Sequence, residues 1–168
     1  KALQRIADEQ PRGRVWVKPG DANVVLPQVL ESIDWKNSRG VLFLDPYGMQ
    51  LRWEVLEQAA LTGALDVWYL FPLSAVLRQM PRSRAALDQS KLDSLNRLLG
   101  TDEWQSFYRQ PPMGDLFGSV ADEREADADA VLEWFSGRLG KHFAYVAPPA
   151  KLRMGAGGKA TAGPALFA

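Results

Sequence analysis

The sequence predicts an α/β fold in which parallel strands alternate with helices. Two apolar runs, an unbroken one at residues 41–44 and one at residues 65–71 that is interrupted only by Asp66, are each bounded by turn-forming residues. Such runs are typical of strands that helices cover on both faces of a sheet. A segment with apolar residues at helical spacing separates the two runs, and this order favours crossover connections between parallel strands. We therefore expect the strand at 41–44 to be buried on both faces.

Five elements alternate between strand and helix in the first half of the chain. They are a strand at 14–17, a helix at 24–33, a strand at 41–44, a helix at 51–61 and a strand at 65–71. Asp21 or Asn23 can cap the first helix, because either side chain can accept a backbone N–H. Gly63 is well placed to end the second helix.

Residues 74–120 depart from this alternation and predict a helical insertion that packs over the strand ends. A short helix is expected at 74–79, and a second helix stops at Gly100. Trp104, Phe107 and Tyr108 follow at helical spacing. They are either core residues or a platform on which nucleic-acid bases stack.

The C-terminal part of the chain predicts a helix, a strand and a terminal hairpin. The helix spans 123–139, and its first turns are acidic, as the helix dipole favours. The strand spans 142–146, and the hairpin joins residues 152–154 to 165–167. No internal repeat is visible.

Composition excludes several classes of function. Twenty basic and twenty acidic residues cancel, so nucleic-acid binding would need a local basic patch. The absence of cysteine excludes disulfides, thiolate metal sites and thiol nucleophiles. His142 is the only histidine, which disfavours a zinc site. No apolar run of about 18 residues and no signal-peptide pattern is present, so we expect a cytoplasmic protein without a membrane anchor.

The segment that organises the prediction is Asp45-Pro46-Tyr47-Gly48, directly after the apolar run at 41–44. Ligands of open α/β sheets bind beyond the carboxyl ends of such strands. Asp45 is therefore a candidate ligand-binding residue. The alternative is that Asp45 caps the following helix and that Pro46, Tyr47 and Gly48 form a rigid turn.

This segment resembles motif IV of class I S-adenosylmethionine-dependent methyltransferases that modify exocyclic amines of bases. The tRNA guanine dimethyltransferases carry a similar Asp-Pro-Phe/Tyr-Gly. Two longer blocks, 43–50 (FLDPYGMQ) and 65–73 (LDVWYLFPL), resemble the three-Cys-motif partner family. That resemblance covers the chain from about Gly20 to the end.

The resemblance implies a single methyltransferase-like domain over 1–168 that lacks its N-terminal half. The fold would be the C-terminal part of a Rossmann-like class I methyltransferase sheet, with an antiparallel terminal hairpin and a helical insertion. S-adenosylmethionine would be the methyl donor. Asp45 and the Pro46 carbonyl would accept hydrogen bonds from the target amine, and Tyr47 would stack on the base. Asp21 would approach the adenine amine of the donor, and Ala22 would supply a backbone N–H.

The partners implied by the resemblance are an RNA or DNA substrate and a three-Cys-motif protein. Arg78, Arg82 and Arg84 could contact phosphates, although such charges are also common on solvated surfaces. The main alternative function is a non-catalytic partner of a three-Cys-motif protein, which resembles radical enzymes or phage proteins. Without the upstream Gly-rich loop, we expect this chain to be inactive and to expose a sheet edge and apolar surface.

Overall fold

A computed structural model of the chain describes residue 4 and residues 15–109, 122–153 and 162–168. The α-helices are α1 (Ala22–Glu31), α2 (Trp53–Leu61), α3 (Leu73–Gln79), α4 (Gln89–Leu99) and α5 (Ala128–Leu139). The strands are β1 (Gly40–Leu44), β2 (Leu65–Phe71), β3 (Tyr108–Arg109), β4 (Glu123–Arg124), β5 (Ala150–Arg153) and β6 (Ala162–Phe167). Two short 3₁₀ helices, Arg84–Ala86 and Glu103–Phe107, flank α4.

The main sheet is mixed and has the strand order β1-β2-β6-β5. β1 and β2 are parallel, with Gly40 opposite Leu65 and Leu44 opposite Tyr69. β6 lies between β2 and β5 and is antiparallel to both. The predicted α/β class and the predicted terminal hairpin are therefore confirmed. Residues 154–161, which connect the two strands of the hairpin, lie outside the described residues.

One face of this sheet carries the core. Phe71 on β2 stacks on Phe135 of α5, with 4.3 Å between the ring centroids. Phe167 of β6 packs edge-on against both rings, at 5.8 and 5.3 Å. Because an aromatic pair adds its own attraction to the area that it buries, this three-ring cluster fixes α5 over the centre of the sheet.

The opposite face of β1 and β2 is open in the described structure. Val41 and Phe43 are 69% and 60% exposed, and Trp68, which lies opposite Phe43, is 42% exposed. The expectation that β1 is buried on both faces is therefore wrong for the described residues, none of which covers this face. β1 is also an edge strand of the described sheet. A continuous apolar run shows that both faces are apolar, but it does not show that both are covered.

The first half of the chain follows the predicted alternation with one exception. The helix expected at 24–33 begins two residues earlier, at Ala22, and Asp21 is its cap. Residues 15–19 form no regular structure, so the strand expected at 14–17 is absent from its described part. α2 ends at Leu61, and Gly63 adopts a positive φ of 57° just beyond it.

The region after β2 contains the expected helices. α4 ends at Gly100, which adopts a left-handed φ of 69°. Trp104 and Tyr108 are buried, and the Trp104 indole donates to Asn96 Oδ1 at 2.7 Å. The core interpretation of these two aromatic residues is therefore confirmed, and the stacking platform is not.

Two C-terminal predictions are corrected: a helix is confirmed with a later start, and a strand is absent. The helix expected over 123–139 begins only at Ala128, because Asp127 caps it by accepting from Ala130 N. Glu123 instead lies in β4 and pairs with Arg82. The strand expected at 142–146 is a turn followed by irregular chain, in which the N–H of His142 donates to the Leu139 carbonyl at 2.9 Å.

Candidate functional site

A cleft of about 610 Å³ lies where β1 ends. Three separate segments line it: residues 20–23 at the start of α1, the loop from β1 to α2, and Arg97 of α4. The five residues expected to contact the donor and the target base all line this one cleft. They are Asp21, Ala22, Asp45, Pro46 and Tyr47.

Asp45 is exposed and has no side-chain partner among the described residues. It does not cap α2, since that helix begins at Trp53 and its cap residue is Arg52. The capping interpretation of Asp45 is therefore wrong. An unpaired carboxylate at a strand end can accept hydrogen bonds from a ligand without first breaking a bond within the protein.

Tyr47 presents an open aromatic face to the cleft. Its side chain is 87% exposed, and its ring contacts no other described aromatic ring. Gly48, the next residue, adopts a positive φ of 59° and sharply turns the chain there. The Pro46 carbonyl accepts no hydrogen bond from another described residue. This loop therefore offers a carboxylate, a free carbonyl and a ring to the same space.

Asp21 holds the opposite wall of the cleft. One of its carboxylate oxygens, Oδ1, accepts from the backbone N–H and the side-chain amide of Asn23, both at 2.9 Å. Its Oδ2 atom has no partner in the described structure. Ala22 is the first residue of α1, so its N–H has no acceptor within the helix. This wall therefore offers one free acceptor and one free donor.

Asn23 joins the two walls. Its side-chain amide donates to the Gln50 carbonyl at 3.0 Å, and its Oδ1 accepts from the N–H of Arg52 at 2.8 Å. Sequence reasoning treated Asn23 only as an alternative cap. An asparagine next to an aspartate cap was the one available signal, but its partners lie 27 and 29 residues away.

Arg52 and Arg97 also line the cleft, and sequence reasoning assigned neither of them a role. Arg97 lies in the last turn of α4, where its charge complements the helix dipole. The three arginines that sequence reasoning selected lie elsewhere. Arg82 pairs with Glu123 and Arg84 with Asp122, each at 3.2 Å, and Arg78 is exposed on α3 outside the cleft.

A second cavity, of about 570 Å³, is lined mainly by apolar residues of α2, β2 and the segment after α5. Among the described residues that line it, Asp66 and His142 are the only ones with acidic or basic side chains, apart from tyrosines. Within the described ranges, no group of three or more acidic, histidine or cysteine residues could hold a metal ion. None of the helices described has both the length and the apolar character needed to cross a bilayer. The cleft at the end of β1 is therefore the stronger candidate, because its polar groups converge.

Comparison with protein-family models, with curated proteins and with solved structures finds no match to this chain. The candidate site therefore depends on the geometry of the cleft and on the resemblance of its motifs.

Proposed function

We propose that this chain is a cytoplasmic, S-adenosylmethionine-dependent methyltransferase-like protein that acts on an exocyclic amine of a nucleic-acid base. The observation that supports this proposal is the shared cleft. Asp21 and Ala22, implied to contact the donor, face the same space as Asp45, Pro46 and Tyr47, implied to hold the base. The antiparallel terminal hairpin beside two parallel strands agrees with the fold that the resemblance implies.

The free groups of the Asp21 wall fit the adenine end of the donor. Asp21 Oδ2 can accept from an amino group, and the Ala22 N–H can donate to a ring nitrogen. S-adenosylmethionine, when bound, supplies the methyl group.

On the other wall, Asp45 and the Pro46 carbonyl accept the N–H bonds of the target amine and orient its lone pair. As the amine becomes positively charged, the Asp45 carboxylate stabilises that charge. Tyr47 stacks on the exposed base, which is worth about 1–3 kcal/mol. On this proposal, the donor and the base bind to opposite walls of the same cleft.

Donor contact is tested by a ¹H–¹⁵N NMR titration of the 168-residue chain with S-adenosylhomocysteine. We expect the amide resonances of Asp21, Ala22 and Tyr47 to shift. Asp21→Asn keeps a helix-capping side chain but removes the charge, and we expect it to weaken binding about tenfold, the equivalent of ~1.4 kcal/mol. Asp66→Asn, at an exposed position outside this cleft, is the matched control. Shifts that spare this cleft would refute the assignment.

Transfer is tested with Asp45→Ala in a protein that also carries the upstream Gly-rich half, since the resemblance implies that turnover needs it. We expect the variant to lose transfer of labelled methyl groups to tRNA or DNA and to keep donor binding. Unchanged turnover would remove Asp45 from the mechanism.

The open apolar face of β1 and β2 favours a second candidate, a non-catalytic partner of a three-Cys-motif protein. Exposed apolar surface of this kind is typical of protein interfaces. On this alternative, S-adenosylhomocysteine shifts no resonance in the cleft. The paired change Val41→Thr and Phe43→Thr then weakens binding of the purified three-Cys-motif protein, whereas Leu61→Gln, at an exposed site on α2, leaves it unchanged.

A further inference from the structure

The cleft holds two arginines without partners. Among the described residues, the guanidinium groups of Arg52 and Arg97 form no ion pair and no hydrogen bond. Four arginines outside the cleft pair with carboxylates, whereas Arg39 and Arg124 bond only to backbone carbonyls and Arg78 is unpaired among the described residues. These pairs are Arg82 with Glu123, Arg84 with Asp122, Arg109 with Glu125 and Arg138 with Glu103. The charge of the two cleft arginines is therefore available to a ligand.

A close contact between α4 and α2 places these arginines at one site. Gly100 ends α4 with a φ of 69°, and a β-carbon built on it would lie 2.8 Å from Trp53 Cβ and closer still to the indole. Only glycine allows this approach. The last turn of α4, with Arg97, is thereby held beside the first residues of α2, which follow Arg52. Two separate elements thus bring positive charge to one cleft.

We infer that Arg52 and Arg97 form a phosphate-binding subsite that positions a single-stranded nucleic acid in the cleft. A guanidinium group binds phosphate oxygens through two parallel N–H bonds, and phosphate contacts fix the register of a nucleic acid. Tyr47 supplies the second half of the recognition, since an open aromatic ring beside basic residues is the pattern that binds single strands. This assignment rests on the proposed function for its choice of substrate, and it replaces Arg78, Arg82 and Arg84 as the phosphate contacts.

The test is fluorescence anisotropy of a labelled, mixed-sequence, single-stranded RNA of twelve nucleotides with the 168-residue chain. We expect Arg52→Gln and Arg97→Gln each to weaken binding about tenfold. The slope of log affinity against log salt concentration should fall by about 0.7 for each lost phosphate contact. DNA of the same sequence should show the same losses, because the phosphate is common to both. Arg78→Gln is the matched control, an unpaired exposed arginine outside the cleft, and it should leave affinity within about twofold.

Three results would overturn the subsite. The first is that the unaltered chain does not bind the RNA, and the second is that Arg78→Gln loses as much RNA affinity as the two cleft variants. The third is that the cleft variants weaken S-adenosylhomocysteine binding in the NMR titration but leave RNA affinity unchanged. In the last case the anion would be the carboxylate of the donor. If RNA binding depends on Arg52 and Arg97 while S-adenosylhomocysteine does not bind, the subsite stands and the methyltransferase proposal fails.

Discussion

Replacing Gly100 by alanine tests the contact that builds one wall of the cleft. The change has two separate costs. A non-glycine residue in the left-handed region loses about 1–2 kcal/mol, and an added methyl group that overlaps a packed side chain costs about 1–3 kcal/mol.

The overlap cannot relax easily, because Trp53 is held on several sides. Its indole N–H donates to Glu57 at 2.7 Å, its ring meets Phe135 edge-on at 5.8 Å, and the Arg138 guanidinium lies 4.7 Å from the ring centroid. After allowing about 0.4–1 kcal/mol for the stiffer unfolded chain, we expect Gly100→Ala to lower the free energy of unfolding by about 1–5 kcal/mol.

Gly63→Ala is the matched control. Gly63 follows α2 with a φ of 57°, but a β-carbon there meets no atom within 4 Å. The control therefore has the backbone cost without the overlap. Urea denaturation followed by circular dichroism should show Gly100→Ala to be less stable than Gly63→Ala by about 1–3 kcal/mol. At this chain length the difference corresponds to a fall in Tm of about 2–12 °C. Equal stabilities would mean that the α4–α2 approach is not tight.

Three further predictions concern single side chains. Asn23→Ala removes the amide that links the two walls, and urea denaturation should show the free energy of unfolding to fall by about 1–3 kcal/mol. The control Asn37→Ala breaks one exposed hydrogen bond to Asp34 and should lower that free energy by less. Equal losses in the two variants would contradict the linking role of Asn23. The hydrogen bond from the Ala130 N–H holds the pKa of Asp127 below its ordinary value of 3.8. The ionised Asp127 carboxylate therefore stabilises the folded state above pH 3.8, and this stabilisation is lost as the pH falls through the lowered pKa. The fall in urea midpoint with acid should therefore be shallower in Asp127→Asn, whose neutral amide still caps the helix; an unchanged slope would contradict this reasoning. Tyr69 buries a hydroxyl that has no partner in the described structure, and burial raises its pKa far above the usual range. Tyr69→Phe should therefore keep or raise the unfolding free energy, by up to about 1 kcal/mol, and a clear loss would reveal a partner for that hydroxyl.

Local signals in the sequence predicted much of the fold. The apolar run at 65–71 matches β2 at both ends, and Gly100 ends α4 as its position indicated. Asp21 caps α1 because its short side chain can reach the N–H of Asn23. Each of these features depends on residues within a few positions of one another, so a sequence pattern can carry them.

The predictions that failed depend on distant partners. The acidic residues at 122–125 are typical of a helix start. In the structure, however, Glu123 pairs with Arg82 and Asp122 pairs with Arg84, and the helix begins further along the chain. The exposure of Phe43 likewise depends on what packs over β1, which no local pattern reports.

In the candidate site as well, some residues could be predicted from local sequence and others could not. Asp45 and Tyr47 could be selected because they follow an apolar run directly. Arg97 reaches the cleft only through the packing of Gly100 on Trp53, which are 47 positions apart in the sequence by their numbering. Nothing in the sequence around Arg97 distinguishes it from other exposed basic residues such as Arg78 or Arg82.

The side chain of Asn23 holds the two loops of the cleft together, because it forms hydrogen bonds to Gln50 and Arg52. When a ligand orders one loop, the other loses freedom as well, so a second ligand has less conformational entropy left to remove. On the proposed function, binding at Asp21 and binding at Asp45 would therefore be thermodynamically linked, and each ligand would raise the affinity for the other by the same factor. The Asn23 amide group, with its hydrogen bonds to Asp21, Gln50 and Arg52, would be the physical basis of that cooperativity.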